Sequence, residues 1–364
     1  MTLGLFTYPI AWFGWFRPRD ELATAVAELL LVGFYGANNT SPSARLLARQ
    51  VHRGQVGAVF FVAQNIGSAD DVTGLLRLFR SGNVQPLLAI DHEGGIVQRL
   101  KKSHGFTHVP AARTVANTLS PAEARTLYAQ AGSELAKLGF NMNFGPVLDV
   151  DEPGNPAIGR HGRAYGTDPE HIATYAQAFV EGFATAGIAC AAKHFPGHGR
   201  AMTDSHNEAA DISATWSEAE LEPFARLLAS PQSPPMVMTG HLRLDPISPD
   251  GRPATVSAPI VTGLLRQRLG YQGIVVTDDL DMGAISQVMS RGEAVIEAIA
   301  AGSDLLMIKN LFGYDPLLPQ RAVGWVRKAI AQGTLSQSQV MAAAERVRTL
   351  RGQVQEPNGS ASRC

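Results

Sequence analysis

The sequence predicts an α/β fold, a single (β/α)8 barrel of the TIM type, on two observations. Apolar runs of strand length alternate with helical segments over most of the 364 residues, and the runs end in polar residues suited to chemistry. The runs are "VGAVFF", "PLLAID", "NMNFGPVLDV", "IACAAKHF", "PPMVMTGHL", "GIVVTDD" and "SDLLMIK". They are uninterrupted rather than alternating, as parallel strands buried on both faces should be. A doubly wound parallel sheet is the alternative arrangement of the same elements. No segment reads as a linker, so the barrel domain is expected over residues 25–352. An apolar arm (1–24) precedes it and a polar, disordered tail (353–364) follows.

The helices follow from their start and stop signals. Ser120-Pro121-Ala122-Glu123 is a capping box with proline at the first helical position, opening a helix that stops near Gly139. Asp168-Pro169 opens another that runs to Gly187, and Ser217 with Glu220 is expected to form a further capping box. The segments Ala284–Ala301, Leu317–Gln332 and Ser336–Arg351 also carry a helical pattern.

Composition bounds the function. The 31 Lys and Arg against 32 Asp and Glu leave a net charge of −1, without the basic excess that nucleic-acid binding requires. The two cysteines, Cys190 in an apolar run and Cys364 in the tail, make neither a disulfide framework nor a zinc cluster. The opening "MTLGLFTYPIAWFGWF" is apolar but lacks a basic flank and is short for a membrane span. It is read as an arm packed on the domain of a cytoplasmic protein with no stable membrane insertion. A degenerate signal peptide and a periplasmic location are the alternative.

Chemistry-bearing residues gather where the strands end. Asp91 and His92 follow "PLLAI", Asp149 and Asp151 follow "NFGPVL", Lys193 and His194 close "IACAA", His241 follows "PPMVMTG", and Asp278 and Asp279 follow "GIVVT". Five of the ten histidines (His92, His194, His198, His206, His241) fall in these segments, more than random surface placement would put there. Each motif also has a plainer reading. In "GIVVTDDLDM" one aspartate could be a nucleophile and the other its support, or they could cap the next helix. In "HGRAMTDSH" Asp204 could orient His206 as a general acid/base, or could merely close an Asx-turn. In "AIDHEGGIVQRL" Asp91 and Arg99 suit bidentate bonding to vicinal hydroxyls, but Glu93 and Arg99 could simply pair across a turn. Arg160 and Arg163 lie together in the glycine-rich loop "NPAIGRHGRAYGTDP".

Taken in order, "IDHEGGIVQR", "NPAIGRHGRAYGTDP", "KHFPGHGRAMTDSH" and "GIVVTDDLDMGAI" closely resemble glycoside hydrolase family 3. Within it they are similar to the single-domain, NagZ-type β-N-acetylglucosaminidases (β-hexosaminidases), over roughly Val32 to Ala301. The resemblance implies a (β/α)8 barrel and retaining hydrolysis through a covalent glycosyl-enzyme. It implies Asp278 as nucleophile, His206 as acid/base and Asp204 as its partner. It also implies that Asp91, Arg99, Arg163, Lys193 and His194 bind the terminal sugar, with Arg163 rather than Arg160 in that position. The chain departs from the pattern in three places. Ile96 stands where many relatives have a basic residue, "RAYG" replaces "RSFG", and His161-Gly162 enlarge the loop. The start with Trp12 and Trp15 is also atypical.

The expected activity is therefore release of terminal β-linked N-acetylglucosamine from a muropeptide, a peptidoglycan fragment carrying 1,6-anhydro-N-acetylmuramic acid, or from a chitooligosaccharide. The enzyme should act as a monomer on a small carbohydrate, with no cofactor and no metal. A family 3 phosphorylase, a β-glucosidase or xylosidase, a metallohydrolase using the same histidines and aspartates, and a non-catalytic sugar-binding protein are the competing readings. Gly197 and Gly199 are expected to make the loop carrying His206 mobile enough to close over substrate.

Overall fold

A computed structural model describes residues 20–203 and 210–355. Eight strands form one parallel sheet: β1 Leu30–Val32, β2 Ala58–Phe61, β3 Leu87–Ile90, β4 Met142–Asn143, β5 Ala189–Phe195, β6 Met236–Thr239, β7 Ile274–Thr277 and β8 Leu306–Ile308. Each pairs with the next in sequence, and β8 returns to β1 with Leu306 opposite Leu30. Between β7 and β8, Thr277 N–H donates to the Leu305 carbonyl (2.9 Å) and Leu305 N–H to that of Val275 (3.1 Å). The sheet thereby closes on itself, and with helices following the strands it is the expected (β/α)8 barrel.

Side chains alternate across the wall. Leu31, Phe60, Leu87, Met236, Val276 and Met307 fill the interior, whereas Val32, Phe61, Leu88, Val237, Val275 and Ile308 pack outward against the helices. Both faces are apolar, which is why the strands read as continuous apolar runs. Val347 and Leu350 of the helix Gln337–Gln355 join the interior cluster at the end where the strands begin.

The helix signals are met where a side chain can serve the first turn. Ser120 accepts from Glu123 N–H and Asp168 from His171 N–H, opening Pro121–Leu138 and Pro169–Ala184. The segment expected as one helix, Ala284–Ala301, is two, Gly283–Ser286 and Arg291–Ala301, because Ser290 and Glu293 form a capping box between them. The box expected at Ser217 does not form. Ser217 accepts no cap bond, a short 3-10 turn covers Glu218–Leu221, and Glu220 turns inward to 1% exposure. The boundary expected at residue 25 falls inside the first helix, Glu21–Leu29, which Asp20 caps, and the last described helix runs to Gln355. The apolar arm and polar tail lie almost wholly outside the described residues. Among the described residues, no helix is long and apolar enough to cross a membrane.

Candidate active site

The ends of the strands open on a cavity of about 520 Å³. Asp91 reaches it from the end of β3, Lys193 and His194 from β5, Asp278 from the end of β7 and Arg163 from the loop after β4. Its floor is a network of ion pairs. Lys193 donates to Asp91 (2.9 Å) and lies 2.5 Å from Glu93. Arg163 grips both carboxylate oxygens of Glu93, at 2.9 and 2.8 Å. Arg99 reaches the other Asp91 oxygen at 3.4 Å. The turn pairing of Glu93 with Arg99 is thus not what forms. Glu93 points inward, where two buried cations serve it better than one at the cavity edge.

Burial would push the carboxyls of Asp91 and Glu93 up, but Lys193 with Arg99, and Arg163 with Lys193, hold both well below the usual carboxylate range. Burial pulls the Lys193 ammonium down, and Asp91 and Glu93 more than reverse it. The floor is therefore ionised and rigid before any ligand arrives, an arrangement suited to the hydroxyls and amide of a sugar.

A second layer orients the first. Fully buried Asp149 accepts from the His194 ring Nδ1 (2.7 Å) and from the backbone N–H groups of His194 (3.2 Å) and His198 (2.7 Å). His194 Nε2 thus faces Arg163, 3.5 Å away. Burial and the neighbouring His194 push the His198 imidazole down to about 4, so it is neutral near pH 7. Asn155 ties two loops together, donating to the carbonyls of His198 and Gly199 and accepting from the N–H groups of Ala157 and Ile158.

Asp278 continues the β6–β7 ladder through its N–H to the Thr239 carbonyl (3.1 Å), which carries its half-buried carboxylate up to the cavity wall. One of its oxygens accepts from Asp279 N–H at 2.7 Å. Asp279 is 3% exposed and turned away, accepting from the N–H groups of Lys309 (2.9 Å) and Asp281 (3.2 Å). Neither aspartate caps the following helix, whose N-cap is Met282.

Asp204 and His206 lie outside the described residues. The segment leading to them is closely packed at both of its glycines. Gly197 holds φ +116° against Glu220, and a Cβ on Gly199 would meet the Val150 carbonyl oxygen at 1.9 Å. Both positions exclude a Cβ, Gly197 by its positive φ and the Glu220 side chain and Gly199 by the approach of the Val150 backbone. Among the described residues no group of three His, Cys, Asp or Glu side chains is placed to hold a metal ion.

Residues 22–350 match the Glycosyl hydrolase family 3 N terminal domain. The chain belongs to glycoside hydrolase family 3. Among its relatives in that family, a beta-hexosaminidase of Bordetella avium is 37% identical over 268 residues, 70% of this chain and 74% of that protein. The beta-hexosaminidase LpqI of Mycobacterium tuberculosis is 34% identical over 349 residues, 92% of this chain and 83% of the relative. Among solved structures, the beta-N-acetylhexosaminidase of Beutenbergia cavernae superposes with a TM-score of 0.79 at 32% identity, covering 91% of this chain and 98% of that one. A family 3 beta-N-acetylglucosaminidase from Paenibacillus superposes at 0.81 with 33% identity, covering 94% of this chain but 64% of the longer relative.

Of the two arginines in the glycine-rich loop of this family 3 chain, Arg163 lines the cavity and Arg160 is exposed outside it. His92 and His241, singled out at strand ends, are buried off the cavity. His241 bonds Thr255 and the Asp279 carbonyl, and burial pushes its imidazole down. Lys309 was missed. It lies 3.3 Å from Asp279 and lines the cavity, and Asp279, Asp278 and Asp91 overcome the downward pull of burial on its ammonium. It closes the run "SDLLMIK", so comparison of strand ends could have found it.

Proposed function

We propose that this chain, a β-N-acetylhexosaminidase of family 3, is a retaining exo-enzyme releasing terminal β-linked N-acetylglucosamine. The observation that carries the reading is the Asp278 carboxylate on the wall of a sugar-sized cavity whose floor is the prepaired network of Asp91, Arg99, Arg163 and Lys193 beside His194. Those groups hold the terminal sugar, with its anomeric carbon toward Asp278. Asp278 attacks that carbon as the bond to the glycosidic oxygen breaks, and His206, protonated and oriented by Asp204, gives that oxygen its proton. In the second half, neutral His206 takes a proton from water, whose oxygen displaces Asp278 and releases N-acetylglucosamine.

The proposed substrate is a peptidoglycan fragment in which N-acetylglucosamine is linked to 1,6-anhydro-N-acetylmuramic acid, and the proposed setting is cytoplasmic, with a monomeric enzyme. Assays on aryl and methyl β-N-acetylglucosaminides, with and without phosphate, test the reaction. Phosphate-independent release of free N-acetylglucosamine is expected, and sugar 1-phosphate as product would overturn it. His206→Ala should damage the methyl glycoside far more than the dinitrophenyl one, because only a poor leaving group needs the proton. Equal loss on both would mean that His206 is not the acid.

A further inference from the structure

The mouth of the cavity differs in kind from its floor. Two large apolar side chains stand out in water there, Ile96 at 59% exposure in the loop after β3 and Phe312 at 81% after β8. Single exposed apolar residues need no explanation, but two that line one cavity from loops far apart in the chain do. The Arg and Lys side chains that line the same cavity are already engaged, Arg99 and Lys193 with Asp91, Arg163 with Glu93 and Lys309 with Asp279.

We propose that Ile96 and Phe312 form the subsite for the leaving-group sugar and hold it by the apolar C–H face of its pyranose ring. The inference rests on the function proposed above. If the charged floor takes the terminal sugar, the glycosidic oxygen points outward and the next ring meets the rim. A pyranose offers a face of C–H groups, and a rim that carries an exposed aromatic ring and an exposed aliphatic side chain is the complementary surface. His161, exposed on the loop after β4, supplies a polar edge to the same mouth. Selection at this subsite is then by ring shape and apolar contact, and not by charge. A second N-acetylglucosamine of a chitin fragment and the muramic acid of a peptidoglycan fragment both present such a face.

The test compares kcat/KM on three substrates that share the terminal sugar: methyl β-N-acetylglucosaminide, N,N′-diacetylchitobiose, and the peptide-free N-acetylglucosaminyl-anhydromuramic disaccharide. Turnover of the methyl glycoside by the unaltered protein tests the parent reading. The ratio of disaccharide to methyl rates tests the rim. Phe312→Ala should lower that ratio roughly tenfold, Ile96→Ser should lower it less, and Phe312→Trp should preserve it. Loss on both disaccharides makes the ring face the shared contact, and loss on one alone identifies its occupant. Unchanged rates on both, or an equal fall on the methyl glycoside, would overturn the proposal. Phe312 is too exposed for its truncation to unfold the barrel.

Discussion

Asp278 and Asp279 are adjacent in sequence and opposite in circumstance. Asp278 stands half-buried on the cavity wall, whereas Asp279 is buried, bonded to two backbone N–H groups and paired with Lys309. Asp278→Ala should therefore lower kcat by roughly 10³-fold or more with melting nearly unchanged. A 2-deoxy-2-fluoro or 5-fluoro glycoside should label Asp278, and peptide mapping that finds the label on Asp279 would refute the assignment. Glu93 carries a different cost. Truncating it to alanine leaves Arg163 and Lys193 buried without their shared partner, worth roughly 3–5 kcal/mol in denaturant unfolding, so the loss should appear in stability as well as in KM. From sequence, "TDD" ranked the two aspartates only through family resemblance. Position after a strand cannot say which carboxylate faces the cavity, since that depends on the distant Lys309. Glu93 was equally hidden, because its partners Arg163 and Lys193 arrive from the loop after β4 and from β5.

At the scale of elements, the segment after β5 packs on the short turn holding Glu220. That carboxyl is 1% exposed, Arg200 Nε lies 3.3 Å away, and among the described residues no well-aligned hydrogen bond reaches either oxygen. Burial and then the charge of Asp149 push its pKa up to about 8 from an ordinary 4.5. The folded protein keeps this proton to about pH 8, while the unfolded chain loses it near pH 4.5. Stability from this group is thus fully present below the lower value and declines as pH rises through that window. Glu220→Gln should flatten that decline and raise stability above pH 7 by ~1 kcal/mol or more, and unfolding free energies measured from pH 5 to 9 would decide. An unchanged slope would mean the carboxyl is already ionised. The sequence presents Glu220 as a capping residue because Ser and Glu at that spacing usually are. Long-range packing against Gly197 overrides the local signal.

The whole molecule divides its tasks between the two ends of the barrel. The mouth carries the charged network, and the opposite end is closed by Val347 and Leu350 and by a buried pairing of Asp304 with Arg266 and Arg346. Leu350→Ala should cost about 2–5 kcal/mol, and Asp304→Ala about 3–5 kcal/mol. Both should shift the denaturation midpoint while leaving KM unchanged in the folded enzyme. A changed KM would mean that the two ends are coupled. Seven of the eight strands are legible as apolar runs. The first, Leu30–Val32, is not, because "VAELLLVGF" passes from helix to strand without a glycine or proline between them. The helix Pro259–Arg268 is equally illegible in the sequence. It is wound as a π-helix, and its "PIVTGLL" resembles a strand as much as a helix.

Leu30 pairs with Leu306, so the barrel is sealed by residues from distant parts of the chain. On the ribosome, β1 is made early and β8 late, and one edge of β1 waits unpaired through most of synthesis. An apolar parallel strand with a bare edge is a template for another chain, and pairings this remote form slowly. Biosynthesis is therefore the exposed stage in this protein's life. Its refolding yield should fall with concentration well before the native enzyme shows any tendency to associate.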